Sequence, residues 1–222
     1  MANNKFSIGE ALRFGWDAVT KNLGLFLGMT VIWVILIYVP TAVANTYKDK
    51  STLFYMLASI AASVIGVIVQ LGMMKVMLDF YDGKKINFSG LFSCGGLVIP
   101  YAISAFFYNA VSLAGLLLLI IPGVIWMVQF GFYGYFIVDK GSGPIEALKK
   151  SSAITKGVKW DLILFGLAFF GINLAGILAL GIGILVTLPV TMLATAFIYR
   201  KLSCLSADKL AGAETAQPAA AA

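Results

Sequence analysis

The side chains in this sequence that could do chemistry are few, and most are carboxylates. The chain has no histidine, which removes the commonest general base and the commonest metal ligand. Asp79 and Asp82 stand close together after an apolar stretch, so a paired-carboxylate or magnesium site is conceivable there. With Asp139 they form the set from which a membrane-embedded enzyme could be built, provided that all three meet in one cytoplasmic pocket. A helix-end role explains the same residues without chemistry, because Lys75 and Asp79 have i,i+4 spacing.

Other reactive groups point to no site. Cys94 and Cys204 have neither the spacing of a metal site nor the density of a disulfide scaffold. No ionisable residue lies near the middle of an apolar stretch, where a proton relay would need one. We therefore assign no catalytic residue, no cofactor and no metal ligand from the sequence.

The composition is that of a membrane protein. Hydrophobic residues make up 60% of the chain and charged residues 12%, whereas soluble domains average about 45 to 50% and about 25%. The net charge of +6 would suggest nucleic acid in a soluble protein. Here the basic residues flank apolar stretches, which favours anionic phospholipid headgroups and excludes nucleic acid as a partner.

Six stretches approach or exceed the length that crosses the hydrocarbon core, about 20 residues. The predicted spans are 23–44, 53–78, 97–120, 123–138, 162–180 and 183–202. Ile121-Pro122-Gly123 and Gly181-Ile182-Gly183 supply the turns of the second and third hairpins. The sequence thus predicts an all-α polytopic fold, with residues 1–204 as a single membrane domain and residues 205–222 as a disordered cytoplasmic tail.

The distribution of basic residues predicts the orientation. Of the 16 lysines and arginines, only Lys48 and Lys50 fall on the side opposite the amino end. Because cytoplasmic loops retain lysine and arginine, both termini are expected in the cytoplasm.

Short polar segments before spans one, three and five indicate an internal repeat. Glu10-Ala11-Leu12-Arg13 corresponds to Glu146-Ala147-Leu148-Lys149, and Val19-Thr20-Lys21 corresponds to Ile154-Thr155-Lys156. The middle copy, Ile86–Phe92, is weaker. Both clear copies are amphipathic at helical spacing, so we expect three repeats of an interfacial amphipathic helix followed by a helical hairpin.

Two sets of residues are candidate contacts for ligands. Four lysines of the last repeat are candidates for anionic-lipid contact, although an ordinary positive-inside loop explains the same charges: Lys149, Lys150, Lys156 and Lys159. Four amides within the spans are candidates for an intramembrane polar path, although hydrogen bonding between helices explains them as well: Gln70, Asn109, Gln129 and Asn173.

Several motifs in the C-terminal half resemble a known family. The matching residues are Ile121–Trp126, Phe136–Asp139, Gly143–Ser151, Thr155–Gly157, Gly181–Gly183, Pro189 and Phe197–Leu202. They are similar to those of uncharacterised prokaryotic inner-membrane proteins that group with the membrane domain of glycerophosphoryl diester phosphodiesterases, including YciC-like proteins. The resemblance implies a multi-pass protein of the prokaryotic inner membrane with no settled biochemical role, and no catalytic residue is carried over.

The leading hypothesis is a non-enzymatic inner-membrane protein that engages lipid or a membrane partner through its cytoplasmic interfacial helices. A small transporter or permease subunit is the alternative, and an enzyme using the cytoplasmic-side carboxylates is the second alternative. The lipid bilayer and anionic headgroups are the expected partners, with a homo-oligomer or a membrane-protein partner left open. Substrate, oligomeric state and physiological role do not follow from the sequence.

Overall fold

In a computed structural model, the structure describes residues 6–86, 88–178 and 183–215, with side chains through residue 207. Within these ranges all regular structure is helical and no strand occurs. The helices are α1 (Ile8–Lys21), α2 (Leu23–Asn45), α3 (Thr52–Tyr81), α4 (Val98–Leu118), α5 (Ile120–Phe130), α6 (Tyr133–Lys140), α7 (Pro144–Ile154), α8 (Lys159–Leu178) and α9 (Ile184–Thr215), with short 3-10 helices at Phe88–Phe92 and Gly95–Leu97.

Six helical segments of the described chain are long and apolar enough to cross a membrane. They are Leu23–Asn45, Thr52–Tyr81, Phe88–Leu118, Ile120–Lys140, Lys159–Leu178 and Ile184–Ala207. The all-α class and the six candidate spans predicted from the sequence are therefore confirmed. The fourth span differs in detail, because it is divided into α5 and α6 at Gly131 and Phe132.

Local sequence signals set several helix ends. The hydroxyl of Ser7 accepts from the backbone N–H of Glu10 at 3.4 Å and so caps the start of α1. Ser51 caps α3 in the same way, through the N–H of Phe54. At the other end of a helix, Gly141 adopts φ of 58° and closes α6, a left-handed conformation that glycine adopts without steric cost.

The amphipathic first helix packs on the last one. Glu10 of α1 pairs with Lys201, and Gly15 lies against the backbone of Val190, so α1 runs antiparallel along α9. A Cβ on Gly15 would lie 2.3 Å from the Val190 carbonyl oxygen, which explains why glycine stands there. The apolar face of α1 is thus buried against protein, whereas a helix lying in the interface would present that face to lipid.

The best-packed region of the bundle lies where α3 ends and α6, α7 and α9 meet, here called the charged end. Its fully buried large side chains include Tyr199, Met77 and Ile137. The rings of Phe14, Tyr81 and Phe197 pack against one another at centroid distances of 5.4 to 5.7 Å. The charged end is therefore rigid, and it is there that the ionisable side chains collect.

Other architectural predictions have different outcomes. Short α-helices precede α2 and α8, but only 3-10 helices precede α4, and the threefold repeat stays a prediction, as does the orientation of the termini.

The tail expected to be disordered from residue 205 is helical through Thr215. Alanine, leucine and lysine extend an existing helix at low cost, so the composition of this segment does not exclude a helix. Residues 216–222 and 179–182, which include Gly181 and Ile182 of the predicted turn, lie outside the described ranges.

Candidate functional site

An ion-pair network at the charged end links three helical segments. The guanidinium of Arg200 on α9 lies 2.6 Å from Asp82, which follows α3, and 2.8 Å from Asp139 on α6. The hydroxyl of Tyr199 donates to Asp139 at 2.8 Å. The side chains of Arg200 and Asp139 are only 19% and 13% exposed, so this planar cation satisfies two carboxylates largely away from water.

Further pairs extend the network outward. Lys84 lies 2.8 Å from Asp79 and 3.5 Å from Asp82. The hydrogen bond that Lys84 donates to Asp79 and the negative charge of Asp79 raise the pKa of Lys84, against an opposing effect of desolvation. Lys201 pairs with Glu10 at 2.8 Å and ties α9 to α1.

The three carboxylates of the enzyme hypothesis are therefore brought into one chain of ion pairs. Lys84 stands between Asp79 and Asp82, and Arg200 stands between Asp82 and Asp139. This arrangement of ion pairs is suited to joining helices. Across the part of the chain that the structure describes, no group of three or more His, Cys, Asp and Glu side chains is arranged to hold a metal ion.

The fourth span is broken, and α7 supplies the hydrogen bonds that the break removes. The hydroxyl of Ser151 donates to the carbonyl of Gln129 at 3.0 Å and accepts from the N–H of Phe132 at 3.1 Å. Thr155, one turn further along the chain, also donates to the Gln129 carbonyl, at 3.2 Å. Unpaired backbone groups are costly in a membrane, so these two hydroxyls stabilise the broken geometry.

The side chain of Gln129 connects the same break to α8. Its Nε2 donates to Ser152 at 2.7 Å, and its Oε1 accepts from the ammonium of Lys159 at 2.5 Å. One amide therefore joins α5, α7 and the first residue of α8. The side chain of Lys159, at the start of α8, is therefore held in place by Gln129.

The four lysines predicted to contact anionic lipid fall into two kinds. Lys149 and Lys156 are exposed. Lys150 pairs with Glu146 at 2.6 Å and donates to Ser142, and Lys159 donates to Gln129. Lys150 and Lys159 thus hold parts of the protein together, and Lys149 and Lys156 are the two exposed residues of the set.

The four amides predicted to line a polar path occupy different surroundings. Asn109 is exposed and donates to the carbonyl of Ala105 in its own helix. Asn173 donates to Phe169 and to the hydroxyl of Thr191, joining α8 to α9. Gln129 belongs to the break described above, and Gln70 is partly buried in α3. Asn109, Gln129 and Asn173 therefore have three separate sets of partners and do not converge on one another.

Three concave regions lie near these groups. A groove of about 390 Å³, here called the α8 groove, runs beside the break and is lined by Tyr108, Val128, Gly131, Phe132, Leu162, Phe165, Gly166, Phe169 and Thr195. A cleft of about 210 Å³ below the end of α3 includes Lys75, Lys85, Ser89 and Ser93. A cleft of about 160 Å³ between α6, α7 and α9 includes Lys140, Lys150, Ser203 and Ser206.

Sequence reasoning missed the residues that organise the site. In the charge count Arg200 only marks orientation, although an arginine in an apolar helix calls for a buried partner. At helical spacing Ser151 falls on the apolar face of its helix, and that pattern gives its hydroxyl no role. The detectable signal was the hydroxyl pair Ser151 and Thr155 at i,i+4, on a face that otherwise buries apolar groups.

Comparisons with known proteins agree on an uncharacterised family. The family model described as "Protein of unknown function (DUF975)" matches residues 101–206. The chain is 27% identical to "Uncharacterized protein Rv2560" of Mycobacterium tuberculosis and 26% identical to "Uncharacterized protein Mb2590" of Mycobacterium bovis, each over 91% of this chain and 70% of the relative. No solved structure gives a significant match.

These similarities support an uncharacterised prokaryotic family, as the sequence motifs predicted. The matched segment holds Gln129, Asp139, Ser151 and Arg200. It therefore contains the break and the pair of Arg200 with Asp139, whereas Glu10, Asp79, Asp82 and Lys84 of the ion-pair network lie outside it. The relation to the membrane domain of glycerophosphoryl diester phosphodiesterases stays a prediction.

Proposed function

We propose that this chain is a non-catalytic, multi-pass protein of the prokaryotic inner membrane that binds anionic phospholipid headgroups through the exposed side of α7. In this proposal both termini lie in the cytoplasm, and the charged end meets the cytoplasmic leaflet. The proposal includes kinship with the membrane domain that accompanies glycerophosphoryl diester phosphodiesterases, on the motifs quoted above.

The observation that carries the proposal is the contrast between the two sides of α7. Ala147, Ser151 and Ile154 are buried, and the hydroxyl of Ser151 is bonded into the break of the fourth span. Lys149 on the same helix and Lys156 just beyond its end are exposed. A basic surface on a fixed helix attracts anionic lipid by about 1 kcal/mol per basic residue near the membrane.

Exposure decides which lysines are placed to contact headgroups. Lys149 and Lys156 are both exposed, and they carry the proposed headgroup contact. Lys150 is partly buried and pairs with Glu146 at 2.6 Å, and Lys159 stands at the edge of the contact, bonded to Gln129.

Charge reversal tests the proposal. The double variant Lys149→Glu, Lys156→Glu and the unaltered protein are purified in detergent with an equimolar mixture of phosphatidylglycerol and phosphatidylethanolamine, and the retained lipids are counted by native mass spectrometry. We expect the unaltered protein to prefer phosphatidylglycerol, and we expect the double variant to lose about tenfold or more of that preference.

The matched control is Lys48→Glu, Lys50→Glu, in the segment between α2 and α3, which changes the net charge by the same amount. Its preference for phosphatidylglycerol is expected to persist. Unchanged preference in the α7 variant, or equal loss in both variants, would refute the proposal.

A further inference from the structure

We infer that the α8 groove holds one acyl chain of a phospholipid whose phosphate is bound by the ammonium of Lys159. The inference rests on the proposed function and adds to it a defined position for a single lipid molecule. The α8 groove lies between α4, α5, α8 and α9, beside the break at Gly131 and Phe132.

The lining of the groove suits a hydrocarbon chain. Val128, Leu162, Phe165 and Phe169 contribute apolar surface. The hydroxyl of Thr195, the lining residue with a polar side chain on α9, is already donated to the carbonyl of Thr191 at 2.7 Å. An apolar groove between membrane spans has lipid chains as its surrounding solvent, and each buried methylene group favours occupancy.

Glycine makes room for the chain on α8. A Cβ built on Gly166 would meet no atom within 4 Å, although the residue lies in the middle of a span. Gly131 leaves the opposite wall without a side chain at the point where the fourth span is interrupted. The groove is therefore lined on two sides by residues that have no side chain.

Lys159 begins α8 and lies on the helix face that lines the groove further along. Lys159 precedes Leu162 by three positions and Gly166 by seven, so all three share one face of α8. The ammonium has three donors, and Gln129 accepts one of them. Trp160, 72% exposed, follows directly and has the character of an interfacial anchor. A phosphate at Lys159 would therefore place its acyl chain over Leu162 and Gly166.

The test fills the groove without touching the headgroup. Gly166→Leu has room to form and its side chain takes space from the α8 groove. Gly171→Leu is the matched control, because Gly171 is equally unobstructed on the same helix but does not line the groove. Phospholipid retained per chain is measured by native mass spectrometry after gel filtration in detergent.

We expect the unaltered protein and Gly171→Leu to retain one phospholipid, and Gly166→Leu to lose about tenfold in occupancy. Lys159→Gln keeps a donor for Gln129 but removes the charge, and it is expected to lower occupancy as well. Melting temperatures measured in parallel report whether each variant is folded. Equal occupancy in Gly166→Leu and Gly171→Leu, both folded, would overturn the inference.

The two proposals fail in different ways. Loss of the retained phospholipid in Gly166→Leu, with the preference for phosphatidylglycerol intact, supports the groove. A groove variant that retains its lipid, together with an α7 variant that loses headgroup preference, would leave the proposed function standing and remove this site.

Discussion

The hydroxyl of Ser151 donates to the backbone carbonyl of Gln129 at 3.0 Å, from a short helix into the break of a membrane span. This bond makes α7 a structural part of the fourth span. The basic surface on the outer side of α7 is therefore held in a fixed position relative to the bundle. A binding surface with a fixed position loses less conformational entropy when a ligand binds.

Replacement of Ser151 by alanine should destabilise the protein by about 1 to 2 kcal/mol. The N–H of Phe132 loses its acceptor, while the carbonyl of Gln129 keeps a donor in Thr155. Thermal unfolding in detergent measures the loss. Ser63→Ala, which removes an exposed hydroxyl bonded within its own helix, should change stability far less, and equal effects would contradict this account of the break.

Replacement of Arg200 by methionine should cost about 3 to 5 kcal/mol, because it leaves Asp139 largely buried without its cation. Its neighbour supplies the control. Lys201→Met breaks a pair whose side chains are 35% and 54% exposed, and such pairs contribute about 0 to 1 kcal/mol. Denaturant titration of the two variants compares them, and a cost for Arg200→Met no larger than that for Lys201→Met would disprove a structural role for the network.

Two glycines should respond to alanine with opposite signs. Gly15→Ala places a methyl group against the carbonyl of Val190 and should destabilise the protein by about 1 to 3 kcal/mol, because α1 must move away from α9. Gly24→Ala meets nothing within 4 Å and should be neutral or stabilising by up to about 1 kcal/mol. The melting temperatures of the two variants and the unaltered protein are compared in one detergent. A destabilised Gly24→Ala would contradict the free space around Gly24.

The start of α7 should weaken in acid. The hydrogen bond from Lys150, then the N–H of Gly143 and the charge of Lys150, lower the pKa of Glu146. A carboxyl whose folded-state pKa is lowered stabilises the protein above its unfolded-state pKa, and that contribution is lost as the pH falls through the folded-state value. Glu146→Gln should therefore melt below the unaltered protein at about pH 7, and the two melting temperatures should converge towards about pH 3.

The source of this pH dependence can be checked in a Lys150→Met background. Without the hydrogen bond from Lys150, the pKa of Glu146 should be lowered less. Glu146→Gln should then change the melting temperature less at about pH 7. If the melting temperatures of Glu146→Gln and the unaltered protein differ by the same amount at about pH 7 and at about pH 3, titration of Glu146 is ruled out.

Much of the architecture was predictable because hydropathy is a local property. The spans at Leu23–Asn45 and Thr52–Tyr81 follow from apolar runs of sufficient length, and the start of α1 follows from Ser7. The partner of α1 was not predictable, since an amphipathic face is the same whether it meets lipid or α9. The site depends on contacts distant in sequence, such as Arg200 with Asp82, which no local pattern encodes.

The packing of α1 on α9 also constrains the order in which the helices can assemble. Glu10 and Lys201 are 191 positions apart, so the first helix emerges during synthesis long before its partner exists. Until the final span is inserted, the buried face of α1 must be covered by lipid, by a chaperone or by another segment. The packing of α1 on α9 can therefore form only after α9 has been made, and a chain that stops before α9 would leave the buried face of α1 without this partner.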